Sequence, residues 1–433
     1  MKPSRYNYTV PFGKKTIFYN GLTEQFFIVK TEHKETYLDI LQSPEIYIDK
    51  IQPFLNKMKK SGFIINDDAD ELAYVRDKLE SQRMPHQYFL LVLPTYQCNL
   101  RCWYCIQNHE NMFMTDETLG KVKNLIVRKL EDPEITELYL SWFGGEPLMA
   151  YDKVLELTHF ARDYCLEHGK SFSCGITTNG TLLSPSRIEA LHKAGVNNYQ
   201  ITIDGDRETH NSVKKLGNEL AYDTTVNNIN LIARHSFVSL RFNYTRDNLK
   251  PERIIQSLMS VLDPEVTDHI SFSLFKVWQE NQELVPDSEV DKLFTLGKEV
   301  GMYSSLSNPG LCYTDRVHYD CVFPNGRIGK CDNHNPNDMP GILQNDGTIH
   351  WEEDMKELYA IHIFDYKQSE CIECRYLPIC WGPCVAKREV MLRNEGKIKC
   401  FHLNKDRQME WIILNHCKTQ LQNSECQISN IDK

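Results

Sequence analysis

Between about residue 86 and residue 300 the sequence alternates six times between a short apolar run and an amphipathic one. "QYFLLVLPTY", "ELYLSWFGG", "SFSCGITTNG", "NYQITIDG", "VSLRFNYT" and "ISFSLFKVW" read as strands. Helical text follows each. "DETLGKVKNLIVRKLED" has Asp116 as a candidate N-cap, "YDKVLELTHFARDYCLEHG" is closed by Gly169, and "SPSRIEALHKAG" has Ser184 before Pro185 and Gly195 just past its end. Further helices are expected near 220–235, 251–262 and 287–300. Parallel strands need a crossover, and a helix supplies one that also covers the sheet. The expected fold class is therefore α/β, with functional groups at the carboxyl ends of the strands. The loop after the first strand, Gly144–Gly145, Asn179 and Asp204 all fall there.

The flanks read differently. Residues 1–84 hold three strand-like stretches, "YNYTVPF", "KKTIFYNG" and "EQFFIVKT", followed by helical text and a charged linker helix. That makes a small α+β module. After 300 the alternation stops: residues 310–400 are loop-rich and cysteine-dense, a composition that needs metal to fold. A polar tail is expected over 421–433. The net charge of −10 leaves no overall basic footprint for nucleic acid. The most apolar stretch, "YFLLVLP", is far too short to span a bilayer, and "MKPSRYNYTV" has no secretion-signal pattern. A cytoplasmic protein without nucleic-acid or membrane partners is expected.

In such a chain, 15 cysteines point to metal ligation more than to disulfides. They cluster at 98–105, 312–331 and 371–400, leaving Cys165, Cys174, Cys417 and Cys426 apart as ordinary thiols. "CNLRCWYC" places Cys98, Cys102 and Cys105 in one eight-residue loop at the end of the first strand. Thiolates hold iron–sulfur clusters, and a four-iron cluster with three protein ligands keeps one iron open. The alternative is a zinc site with a distant fourth ligand, for which this spacing is poor.

This loop, "GGEP" at 144–147, "TTNGTLL" at 177–183 and "ITIDG" at 201–205 together resemble the radical S-adenosylmethionine (radical SAM) enzymes. The resemblance implies a partial (β/α)6 barrel over residues 85–305 and a [4Fe–4S] cluster on Cys98, Cys102 and Cys105. It also implies that SAM chelates the open iron and is cleaved to a 5′-deoxyadenosyl radical, which abstracts hydrogen from the substrate. The implied SAM contacts are Tyr104, Gly144, Gly145, Glu146, Asn179 and Thr202. Twelve residues past Thr202, where relatives carry arginine, this chain has Lys214. Lysine keeps the charge and loses the bidentate fork. A solvated surface lysine is the plain alternative, and Asn179 and Asp204 also suit local turns.

Downstream, Cys371-X2-Cys374-X5-Cys380-X3-Cys384 followed by Cys400, with Cys312-X13-Gly326-X4-Cys331 ahead of it, resembles a SPASM domain over 306–420. Such domains usually bind two auxiliary four-iron clusters. The pattern implies Cys312, Cys321, Cys331 and Cys384 for the first, with Cys321 the optional ligand. It implies Cys371, Cys374, Cys380 and Cys400 for the second. A pair of zinc ribbons is the alternative. Residues 1–84 resemble the PqqD-like modules that bind a precursor's leader peptide by strand addition; a packing domain is the alternative. The expected function is a maturase of ribosomally synthesised peptides that installs a thioether or carbon–carbon cross-link. Its expected partners are a precursor peptide and a low-potential donor such as flavodoxin or ferredoxin. The runner-up is an anaerobic sulfatase-maturating enzyme making formylglycine, whose relatives use an aspartate as proton acceptor at the position of Asp332. A non-catalytic scaffold is the third reading.

Overall fold

The computed structural model describes residues 1–216, 219–277, 279, 287–304, 311–333, 335–352, 369–402 and 404–423. The polar tail from 424, with Cys426, and the expected domain boundary at 305–306 lie outside them. The chain divides into two compact units: Met1–Arg83 with Leu306–Asp315 and Ala360–Lys433, and Met84–Ser305 with Arg316–Tyr359.

The first unit begins with a three-stranded antiparallel sheet in the order β1 (Asn7–Phe12), β2 (Lys15–Asn20), β3 (Phe26–Lys30). Helices Lys34–Gln42, Ile48–Lys60 and Glu71–Gln82 follow, the last capped by Asp70. One sheet face packs on Leu55, Met58 and Phe63. The other shares a core with the cysteine-dense segment: Tyr6, Tyr8 and Val10 pack with Cys371, Leu377 and Met409 in one buried cluster. Tyr8 stacks on Tyr376 with ring centroids 5.3 Å apart, and its hydroxyl donates to the Arg375 carbonyl. Arg375 Nη2 donates back to the Asn7 carbonyl at 3.1 Å. Helices Val385–Glu395 and Lys405–Asn423 complete the unit.

The second unit is the expected α/β core. Strands β4 (Gln87–Val92), β5 (Glu137–Trp142), β6 (Ser171–Thr178), β7 (Val196–Ile203), β8 (Phe237–Tyr244) and β9 (Ile270–Lys276) pair in sequence, all parallel. Every residue of β4 is buried, as its unbroken apolar run requires of a strand covered on both faces. Ser184 Oγ caps the third crossover helix, and Gly195 ends it at φ 107°. The first crossover helix is capped by Thr115, one residue before the expected Asp116.

The sheet does not end at β4. After the short β10 (Tyr303–Ser304) on the far edge, β11 (His318–Val322) joins β4 in parallel, and β12 (Arg327–Gly329), β13 (Gly341–Leu343) and β14 (Ile349–Trp351) continue antiparallel. The stretch read as loop after 300 thus extends the core sheet. Asp320 sits fully inside β11, where Tyr88 Oη donates to it at 3.1 Å and Lys129 Nζ pairs with it at 2.9 Å. Among the described residues no helix is long and apolar enough to cross a membrane.

Candidate cluster and cofactor site

Strands β4 to β7 deliver the candidate residues to one end of the core sheet. Cys98, Cys102 and Cys105 follow β4, Gly144–Glu146 follow β5, Asn179 follows β6, and Asp204 follows β7. The cysteine loop is held from three sides. From below, Gly145 N–H donates to the Thr95 carbonyl at 3.1 Å and Glu146 N–H to the Gln97 carbonyl at 2.8 Å. A Cβ on Gly145 would stand 2.2 Å from that Gln97 oxygen, and Gly144 adopts φ +124°. Both positions therefore need glycine, first because two backbones touch.

From the side, Asn179 Nδ2 donates to Asn99 Oδ1 at 2.8 Å and reaches Cys98 Sγ at 3.8 Å. Its Oδ1 accepts from Thr181 N–H at 2.9 Å, so Asn179 forms the local turn and holds the loop together. Asn99 Nδ2 adds a bond to Thr181 Oγ1 at 2.9 Å.

From above, Tyr104 Oη donates to Asp204 Oδ1 at 2.6 Å. Burial, and then the Asp204 charge, push the phenol far above its ordinary range, so Tyr104 remains a donor. Lys214 is buried, 2% exposed at its side chain, which removes the surface-lysine alternative. Its Nζ stands 3.3 Å from Asp204 Oδ2 and donates to the Thr202 carbonyl. The lysine thus neutralises the carboxylate that holds the cysteine loop. His210 accepts from Asp204 N–H at Nδ1, 3.3 Å away. Burial, helped by the Lys214 charge, holds that imidazole neutral, well below its usual range.

An ion pair this deep gives a sharp expectation. Lys214→Met strands the Asp204 charge and should cost about 3–5 kcal/mol of stability, whereas Lys214→Met with Asp204→Asn should recover much of it. Thermal unfolding of the two variants checks this; equal losses would mean the charges are not coupled.

Glu146 is wholly buried, and its carboxylate accepts from Asn179 N–H at 2.8 Å, Thr178 Oγ1 at 2.8 Å and Leu148 N–H at 3.1 Å. Burial raises its carboxyl above the usual range against these three bonds. The side chain is occupied in joining β5 to β6.

The donor set suits an iron–sulfur cluster. The three thiols are half-buried, and Leu100 N–H points at Cys98 Sγ from 3.4 Å, as a bound thiolate wants. Burial pushes the Cys98 thiol up to about 12 and Cys102 to about 11, so without a cation both stay protonated at neutral pH. Among the described residues no three His, Cys, Asp or Glu side chains converge on one point. A cluster spreads its attachments over separate irons, so its ligands need not converge. Two residues past Cys105, Gln107 is 9% exposed, and neither of its amide atoms has a hydrogen-bond partner. A ligand on the loop would supply one. The motif reading did not single out Gln107, because a lone glutamine carries no spacing signal.

The other cysteines fall into both units. Cys371, Cys374, Cys380 and Cys400 line one cavity of about 170 Å³ in the first unit. Cys312 and Cys384 also belong to that unit, and Cys321 and Cys331 to the second. Cys321 is fully buried in β11, paired with Gly329, and that burial, with the nearby buried Asp332 and Cys331 adding to it, pushes its thiol well up.

Comparison with known proteins agrees. The Radical SAM superfamily profile matches residues 92–255. The chain is 22% identical over 422 aligned residues to the radical SAM cyclopropyl synthase TigE of Paramaledivibacter caminithermalis, covering 82% of this chain and 83% of that one. It is 28% identical over 163 residues to the AdoMet-dependent heme synthase of Nitratidesulfovibrio vulgaris, covering 36% of this chain and 40% of that one. Among solved structures, "Native anSMEcpe with bound AdoMet and Kp18Cys peptide" shares the fold, with a TM-score of 0.53 at 16% identity over 78% of this chain and 98% of that one. The parallel sheet, the profile match and the cysteine loop at its head lead to one conclusion: residues 92–255 are a radical SAM domain.

Proposed function

We propose that the enzyme matures a ribosomally synthesised peptide, bound through its leader at the β3 edge, by forming a cross-link between core-peptide residues. When bound, SAM and the cluster on Cys98, Cys102 and Cys105 supply the hydrogen-abstracting radical. The eight downstream cysteines would hold two auxiliary clusters, and a low-potential donor such as flavodoxin or ferredoxin would supply electrons. Tyr104, Asp204 and Lys214 orient the loop, and Gln107 offers a free amide beside it.

The observation that carries the peptide reading is the front sheet. Among the described residues β3 has a neighbouring strand on one side alone. Asn20 N–H donates to the Gln25 carbonyl and Thr31 N–H to the Lys14 carbonyl, which fixes those as hydrogen-bonded pairs. In the register Lys15↔Lys30 the pattern alternates, so the N–H groups of Phe26, Ile28 and Lys30 face away from β2. An extended peptide pairing there would continue the sheet. The likeness to TigE supports the choice of bond. It runs over 82% of this chain, well past the core, and a cyclopropyl synthase makes a carbon–carbon bond. A peptide is also bound in the solved structure of like fold.

Ile28→Pro tests this. Proline removes the outward N–H and leaves the β2–β3 bonds untouched. Losing that one cross-strand bond at ~1 kcal/mol should weaken leader binding by about fivefold. SAM cleavage without peptide should be unchanged. Fluorescence anisotropy with short peptides encoded beside the gene reads the affinity. Mass spectrometry of the co-expressed peptide should show loss of two hydrogens and a new bond between residues. Unchanged affinity would make the module a packing domain.

One observation favours the sulfatase-maturating alternative: Asp332 is buried beside Cys331 and Cys321, where a proton acceptor would be needed. Conversion at a single residue of the peptide, lost in Asp332→Asn with SAM cleavage retained, would move the assignment there.

A further inference from the structure

We propose that His402 is a positioning residue for the cluster on Cys371, Cys374, Cys380 and Cys400: its Nε2–H donates to the Cys380 sulfur and raises that cluster's reduction potential. This rests on the reading that those four cysteines hold a cluster.

His402 Nε2 lies 3.1 Å from Cys380 Sγ. The imidazole is half-buried and lines the same cavity as the four cysteines. Neighbouring groups fix its plane: the Phe401 ring stands 3.9 Å away at 35°, and Lys387 Nζ sits over that phenyl face at 4.2 Å. His402 follows Cys400 by two residues and reaches back across the cavity to a ligand 22 positions earlier. The segment that closes the ligand set therefore brings its own donor.

The chemistry fixes the direction of the bond. An iron-bound thiolate has no proton to give, so at this contact the imidazole is the donor. Reduction adds negative charge to the cluster, much of it on sulfur. An N–H aimed at a ligand sulfur stabilises that charge, and hydrogen bonds to the sulfurs are one of the levers that set cluster potential. The core motifs do not need this histidine, because four thiols already complete a four-iron set.

The test uses reconstituted holoenzyme carrying His402→Leu or His402→Gln, with iron analysis and a potentiometric titration followed by electron paramagnetic resonance. Leucine removes the donor, and glutamine keeps an N–H of similar reach. Both variants should retain the parent's iron, about four per cluster. In the leucine variant one reduction step should move to lower potential while the others stay, and glutamine should restore most of the shift. An unmoved step in the leucine variant would overturn the proposal. Loss of about one cluster's iron in both variants would also overturn it, by making the ring a ligand. Cys380→Ala serves as the control: if it loses no iron, the cluster reading itself fails, a result separate from either outcome for His402.

Discussion

Replacing Cys98, Cys102 and Cys105 together with alanine should remove about four irons from a reconstituted parent holding about twelve, and should abolish SAM cleavage entirely. The expectation follows from how the loop is built. All three thiols lie within eight residues at the end of β4, and three thiolates leave one iron of a four-iron cluster open to a substrate. The surroundings do not depend on the sulfurs. Gly145 and Glu146 hold the backbone of residues 95–97, and Asn99 is bonded to Asn179 and Thr181. The variant should therefore fold, with near-parent circular dichroism, and should keep the irons bound elsewhere. Anaerobic iron analysis and chromatographic detection of 5′-deoxyadenosine measure both effects. Persisting SAM cleavage would refute the assignment of the loop. A parent that takes up only about four irons would refute the auxiliary clusters.

Much of this was legible in the sequence, for a physical reason. Strand–helix alternation is local, and each of the six core strands lies where its apolar run stands. The cysteine loop was legible because its three cysteines are close in sequence. What stayed hidden depends on partners far away along the chain. β11 escaped notice because Asp320 interrupts its apolar text; the aspartate is tolerated there by Tyr88 and Lys129, about two hundred residues earlier. Lys214 looks like any surface lysine until Asp204 and the Thr202 carbonyl enclose it. Glu146 sits in a motif that suggests a cofactor contact, and the sequence gives no sign that its carboxylate also accepts from Thr178, Asn179 and Leu148. The core shared by residues 6–19 and 371–417 joins segments more than 350 positions apart, and no local pattern reports such a pairing.

That shared core determines the other large effect. Replacing Cys371, Cys374, Cys380 and Cys400 with alanine should destabilise the front sheet along with the cysteine segment. The segment from 369 to 384 has a single four-residue helix among its described residues, too little regular structure to hold Tyr376, Leu377 and Ile379 in place. Those side chains are what Tyr8, Val10 and Ile17 pack against. Tyr8 and Arg375 exchange hydrogen bonds with each other's strand or loop backbone, so a displaced loop also strips two bonds from β1. A structural metal site in a loop-rich segment contributes folding free energy directly, on the order of 10 kcal/mol in small zinc domains. Its loss should exceed what a module of about eighty residues can absorb. Limited proteolysis should then release fragments from residues 1–83 at a protease level that leaves the parent intact. The unit carrying β4 to β9 should still cleave SAM, since its own core does not depend on that segment. Deleting residues 1–83 is a poorer experiment for the same reason: it exposes Leu377, Met409 and Ile413 to water, and lost activity would then report unfolding as readily as lost peptide binding. If the four-alanine variant resisted protease as the parent does, the apolar contacts alone would hold the unit together, and the cluster's role there would be electron transfer without a share in stability.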